Sequence, residues 1–177
     1  MSSFAEENFK HEEDLDSIPW YRISLIGSDS RVHLCIEGRY VTIFKRRGSL
    51  HCMDAICHHA GGPLTDGPLI DIEELHTTVV SCPWHRYKIS LDGYKIFQGV
   101  EFDLHGKPGV AIWKKGKKVQ RAHEVFEDDL YTYIKLNKPI SESETTATDI
   151  CASDEISKSE LCGGLFLLHN ETPEKVK

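Results

Sequence analysis

Cys57-His58-His59-Ala60-Gly61-Gly62-Pro63-Leu64 and, further along, Cys82-Pro83-Trp84-His85 are the two stretches from which this chain is read. The first holds a C-x-H and the second a C-x-x-H, with 22 residues between His59 and Cys82, about the span of one β-hairpin. Folded that way, two thiolates and two imidazoles can reach one point in space. Such a donor set suits a tetrahedral zinc ion, or a pair of bridged irons with two Cys on one and two His on the other. Zinc fingers usually place C-x-x-C and H-x-x-x-H spacings on a turn and a helix, and neither spacing occurs in these stretches. Gly61, Gly62 and Pro63 fit a loop that must approach a buried centre closely, because glycine supplies unusual dihedrals and proline stiffens the turn. His58 adjoins Cys57 and could compete with His59; the C-x-H spacing and the Gly-Gly-Pro-Leu run favour His59.

The two motifs resemble the cluster-binding loops of Rieske ferredoxins, in particular the small soluble Rieske-domain-containing proteins of animals. The resemblance covers roughly Pro19 to Lys138. It implies an all-β fold, an antiparallel sandwich or small barrel with an inserted cluster-binding subdomain. It also implies one Rieske-type [2Fe-2S] cluster, with Cys57 and Cys82 on one iron and His59 and His85 on the other. The implied function is soluble one-electron transfer, from a flavoprotein-type reductase to an acceptor enzyme, through a histidine edge that faces solvent in the family. No nucleophile–base pair or carboxylate pair stands out, so bond-making catalysis is not expected. Two competing readings remain: a small iron–sulfur subunit of a larger oxidoreductase complex, and a zinc-stabilised interaction domain.

Charge counting sets an expectation for the potential. Two ferric ions, two sulfides, two thiolates and two neutral imidazoles sum to zero, whereas four thiolates would give minus two, so the potential should exceed that of a plant-type ferredoxin. Reduction places negative charge beside the imidazoles and favours their protonated forms, which couples electron uptake to proton uptake. High-potential members of the family link the two loops by a disulfide and carry hydroxyl donors after the last ligand. The matching positions here are Gly62 and Trp84 for the disulfide and Tyr87 and Ile89 for the donors, and Arg86 stands where glycine is usual. A centre near the bottom of the ~−150 to +300 mV range follows.

The chain has 177 residues, 40% of them apolar, enough for one domain with a modest core. Nothing after Lys138 supplies the two-His, one-carboxylate iron site of a Rieske oxygenase. The formal charge of −7 is unevenly spread. Residues 17–138 hold 17 basic and 14 acidic side chains, +3, while the remainder hold 4 and 14, −10. Lys45-Arg46-Arg47 and Lys114, Lys115, Lys117 and Lys118 could dock an acidic redox partner or simply form solvated faces. Aromatic residues do not interleave these runs, so nucleic-acid binding is not expected. No apolar run approaches 18 residues, so no membrane span is expected. The acidic start, Met1 to Glu7, argues against a secretory or mitochondrial leader and for a cytoplasmic protein. Of the six cysteines, Cys35 and Cys52 lie in apolar strand patterns and read as buried thiols, and Cys151 and Cys162 have no evident role.

Along the chain, residues 1–16 read as an acidic, disordered leader, 17–138 as the Rieske domain and 139–177 as an acidic, Ser/Thr-rich disordered tail. Alternating patterns predict strands over Tyr21–Ile26, Arg31–Ile36, Tyr40–Lys45 and Leu50–Asp54, broken by glycines. Further strands are expected over Thr77–Cys82, Tyr87–Ser90 and Tyr94–Phe97, the last two across an Asp92-Gly93 turn. Val119–Phe126 and Leu130–Leu136 read as a closing hairpin. The apolar run Leu165-Phe166-Leu167-Leu168 could dock on the domain or on a partner.

Overall fold

Two tight turns set the register of the first half of the domain. Glu37 and Gly38 (φ 49° and 78°) and Arg47 and Gly48 (φ 51° and 79°) are both left-handed pairs, the backbone of a two-residue type I′ hairpin. In this computed structural model they join Arg31–Ile36 to Arg39–Arg46, and that strand to Ser49–Asp54, at Ile36↔Arg39 and Arg46↔Ser49. The strands are β1 (Trp20–Ser24), β2 (Arg31–Ile36), β3 (Arg39–Arg46) and β4 (Ser49–Asp54). The structure describes residues 18–138 and 172–176. The expected leader, the Leu165–Leu168 run, Cys151 and Cys162 lie outside the described residues.

After β4 come β5 (Leu69–Ile72), β6 (Thr77–Ser81), β7 (Lys88–Ser90), β8 (Tyr94–Phe102) and β9 (Pro108–Lys118). The chain then runs through β10 (Ala122–Glu127), β11 (Tyr131–Lys135) and β12 (Glu174–Lys175). All pairings are antiparallel and form two sheets, ordered β12-β1-β11-β10-β4-β3-β2 and β5-β6-β7-β8-β9. The fold is all-β, as expected. β4 pairs directly with β10 through Ala122↔Met53 and His123↔Cys52, so residues 55–121, with the whole second sheet, form an insertion between two neighbouring strands of the first.

One apolar cluster fills the first sheet, with Ile23, Leu34, Ile36, Val41, Ile43 and Ile134 at its centre. A second joins the two sheets and contains Phe44, Met53, Leu64, Val80, Ile89 and Leu91 together with Cys57 and Cys82. Each fully buried aliphatic or aromatic side chain contributes about 1.5–3 kcal/mol. The cysteines are thus held by the same packing that docks the insertion on the first sheet.

Three strands depart from the sequence reading. β5 occupies Leu69–Ile72, between the two motifs, where no strand is expected. β9 falls on the Pro108–Lys118 segment, and β8 runs on to Phe102 to meet it. This hairpin extends into solvent: Phe102 is 67% and Val110 83% exposed, so no buried face imposes an alternating pattern. At the far end of the chain β12 lies beside β1, with Val176 N–H donating to the Trp20 carbonyl at 2.8 Å and Arg22 paired to Glu174 at 2.8 Å. The sequence reading placed no strand in this stretch.

Asp54, at the end of β4, anchors the entry to the insertion. Its carboxylate accepts from Arg39 Nε and Nη2, both at 2.6 Å, and lies 3.0 Å from His123 Nε2. The Asn137 N–H donates to His123 Nδ1 at 3.1 Å, which leaves Nε2–H to donate to Asp54. Burial raises the Asp54 pKa, but hydrogen bonds from His123 and Arg39 outweigh it and hold the group below the usual carboxylate range. Because the native value is depressed, the contribution is complete above the ordinary carboxylate value of about 4 and is lost as pH falls through the native value. Asp54→Asn removes the charge that pairs with the partly buried Arg39 and is expected to cost about 3–5 kcal/mol. Thermal midpoints should fall at neutral pH, with a weaker drop below about pH 4 than in the parent chain.

Candidate metal centre

The two motifs fold into loops that are copies of each other. In the first, Cys57 N–H donates to the Gly62 carbonyl and Gly61 N–H to the Cys57 carbonyl, both at 2.9 Å. In the second, Cys82 N–H donates to the Tyr87 carbonyl and Arg86 N–H to the Cys82 carbonyl, both at 2.8 Å. Each loop therefore closes from its cysteine to the fourth and fifth residues after it. The fourth residue is left-handed in both: Gly61 at φ 80° and Arg86 at φ 58°. The local backbone demands that conformation, and only the first loop meets it with glycine.

The closures sort the side chains. Cys57 and Cys82 are buried, free thiols in contact with each other. Backbone N–H groups of His59 and Ala60 donate to the Cys57 sulfur, as expected for a loop whose amides are freed by tight turns. Burial pushes the Cys57 thiol up to about 12, with the two amides acting against it. His59 and His85 are exposed, and their rings meet edge to face with centroids 4.8 Å apart. Among the described residues, no three Cys, His, Asp or Glu side chains gather as they would around one metal ion. The two thiols thus form one buried pair and the two imidazoles one exposed pair.

His58 points elsewhere. Its backbone N–H donates to Gln120 Oε1 at 3.3 Å, its ring lies edge-on to Tyr87 at 5.4 Å, and burial lowers its pKa. Of the two neighbouring histidines, His59 is the one that meets His85. Tyr87 lies flat against His59, with centroids 4.2 Å apart and planes 19° apart. Gly62 leaves no room for a side chain, since a Cβ there would stand 2.6 Å from Cys82 Sγ and 3.1 Å from Trp84.

Gln120 is the supporting residue that the sequence reading missed. It is fully buried, and Nε2 donates to the Asp54 carbonyl at 2.8 Å and the Ile56 carbonyl at 2.7 Å while Oε1 receives His58 N–H. One amide side chain thus satisfies three backbone groups at the root of the first loop. Its own backbone N–H is held by the Gly93 carbonyl at 3.1 Å. A single Gln between Val119 and Arg121 carries no pattern that could have flagged it.

A family model described as "Soluble Rieske-type ferredoxin" matches residues 22–139, and the chain belongs to that family of iron–sulfur electron-transfer proteins. A human protein described as a "Rieske domain-containing protein" is 38% identical over 118 residues, spanning 64% of this chain and 71% of the relative. Among solved structures, the ferredoxin of carbazole 1,9a-dioxygenase from Nocardioides aromaticivorans IC177 is 18% identical, with a TM-score of 0.47 over 68% of this chain and 100% of its own. Apo dicamba monooxygenase is 19% identical, with a TM-score of 0.49 over 76% of this chain and 38% of its own. No helix among the described residues is long and apolar enough to cross a membrane.

Two outcomes test the loop geometry. Gln120→Ala leaves two buried carbonyls and an N–H without their partner, at about 1–3 kcal/mol for each buried group; a fall in the thermal midpoint and faster loss of bound iron to a chelator are expected. Arg86→Gly relieves the left-handed strain and is expected to stabilise the chain by about 1 kcal/mol, read as a higher denaturant midpoint.

Proposed function

We propose that the chain is a one-electron carrier whose single [2Fe-2S] cluster is held by Cys57 and Cys82 on one iron and by His59 and His85 on the other. The observation that carries this reading is the sorting of the donors, two touching buried sulfurs and two exposed imidazoles with centroids 4.8 Å apart. A tetrahedral zinc ion asks four donors to surround one point, whereas a bridged iron pair asks for a sulfur pair and a nitrogen pair. The cradle also suits such a group: Gly62 keeps its Cβ position empty beside Cys82, and amides of His59 and Ala60 already aim at the Cys57 sulfur.

Once bound, the cluster supplies storage and release of a single electron. Cys57 must give up its proton to bind metal, because the buried thiol is otherwise protonated at neutral pH. The amides aimed at its sulfur favour the thiolate and the more negative reduced state. Tyr87 fixes the plane of His59, and His59 and His85 offer their edges to a partner, so the transfer path ends at solvent-facing imidazoles. We infer that the donor is a flavoprotein-type reductase and the recipient an acceptor enzyme, in keeping with the electron-transfer family to which the chain belongs.

The potential should fall near the bottom of the ~−150 to +300 mV range. Tyr87 is stacked on His59, and Gly62 and Trp84 cannot form a disulfide between the loops. A potentiometric titration with a midpoint above roughly +100 mV contradicts this. Total iron and acid-labile sulfide should each reach two per chain, and tightly held zinc in a colourless protein would overturn the reading. His59→Cys or His85→Cys adds thiolate charge and is expected to give a cluster of lower potential or none; an unchanged visible spectrum would show that the replaced histidine is not a ligand.

A further inference from the structure

Most cations of the domain are answered by carboxylates. Lys45 pairs with Glu127 at 2.7 Å, and Arg46 and Arg47 with Asp71 at 3.2 and 2.7 Å. Lys114 pairs with Glu101 at 3.1 Å and Lys115 with Asp92 at 3.0 Å. Lys45–Arg47 and the Lys114–Lys115 half of the second basic run are therefore neutralised where they lie, while Lys117 and Lys118 have no carboxylate partner among the described residues.

Beside the imidazole pair the pattern changes. Lys95 Nζ stands 5.0 Å from the Tyr87 ring centroid and 5.9 Å from that of Phe97. Tyr87 lies directly on His59, so Lys95, Tyr87 and His59 form one stack. Among the described residues no carboxylate pairs with Lys95. The same holds for Arg86, which is exposed and follows His85 in the second loop. Exposed aromatic side chains adjoin these charges, Trp84 two positions before Arg86 at 40% exposure and Phe97 beside Lys95 at 39%.

We propose that the edge carrying His59 and His85 is a cationic, aromatic docking surface, formed by Trp84, Arg86, Lys95 and Phe97, that receives a redox protein with a carboxylate-rich contact face. The proposal rests on the electron-carrier reading and adds the charge type of the partner to it. Charge complementarity carries it. A cation with no internal counter-charge projects its field outward, and such a field steers an anionic face into place and speeds the encounter. Exposed aromatic residues and arginine supply the contacts that dominate interface energies. The neutralised runs at Lys45–Arg47 and Lys114–Lys115 project far less.

The test uses the reduced holoprotein in stopped-flow mixing with ferricyanide, an anion, and hexaammineruthenium(III), a cation. Each takes one electron from the reduced cluster and needs no other reactant. At low ionic strength, Lys95→Glu is expected to slow ferricyanide by about three- to tenfold and to speed hexaammineruthenium. Lys95→Gln should do the same to a smaller degree, and the effects should shrink at ~0.5 M salt. Lys107→Glu, an equal charge change on the exposed turn between β8 and β9, should leave both rates within about twofold. A change of driving force would move both oxidants in the same direction, so opposite directions isolate the field. Charge-blind rates, parallel changes, or equal effects from Lys107→Glu overturn the surface while leaving the carrier intact. A sample without a chromophore that bleaches on reduction overturns the carrier reading and the surface with it.

Discussion

The structure depends on one constraint: two cysteines in an apolar cluster must each close a loop through their own backbone. Cys57 and Cys82 bond to the residues four and five positions on, and this shared closure leaves both sulfurs inside and both imidazoles outside. Cys57 and Cys82 belong to the cluster that joins the two sheets, with Phe44, Met53, Leu64 and Ile89. Site geometry and domain docking are therefore one packing problem, and a loosened core would be felt at the sulfurs. Burial disfavours the charged form of a thiol, so binding of the proposed cluster would have to offset that cost.

Around this constraint the domain supplies braces of different kinds. Asp54 fixes the end of β4 through Arg39 and His123, and Gln120 carries that support into the first loop by binding the carbonyls on either side of Ala55. The second loop is braced by its neighbours instead. Tyr87 closes it through its carbonyl while its ring lies on His59 in the first loop, so one residue ties the two loops together. Arg86 takes the left-handed position that glycine fills in the first loop. That strain is tolerated because the closing bond to Cys82 depends on it.

Much of this was legible in the sequence, for identifiable reasons. The cysteine and histidine spacings carry the loops, and the Glu37-Gly38 and Arg47-Gly48 pairs carry the hairpins. The alternation over Arg31–Ile36 and Leu50–Asp54 carries the strands of the first sheet, because each has one buried face to record. β9 escaped because its outer part has no buried face, and its lysines read only as a docking patch or a solvated face. Gln120 and the Tyr87–Lys95 stack escaped because their roles are tertiary: each acts on residues that only the fold brings near. For the charge runs, the sequence left a docking patch and a solvated face both open. Lys45–Arg47 stands out in the sequence, yet its counter-charges arrive from Glu127 and Asp71, far along the chain.

The central claim is mixed ligation by two sulfurs and two imidazole nitrogens on a pair of irons, and pulsed electron paramagnetic resonance of the anaerobically purified, dithionite-reduced protein tests it most directly. The account predicts one unpaired spin per chain, coupled to two histidine nitrogens. A reduced sample with no such spin, or with a spin that couples to no nitrogen, would contradict it.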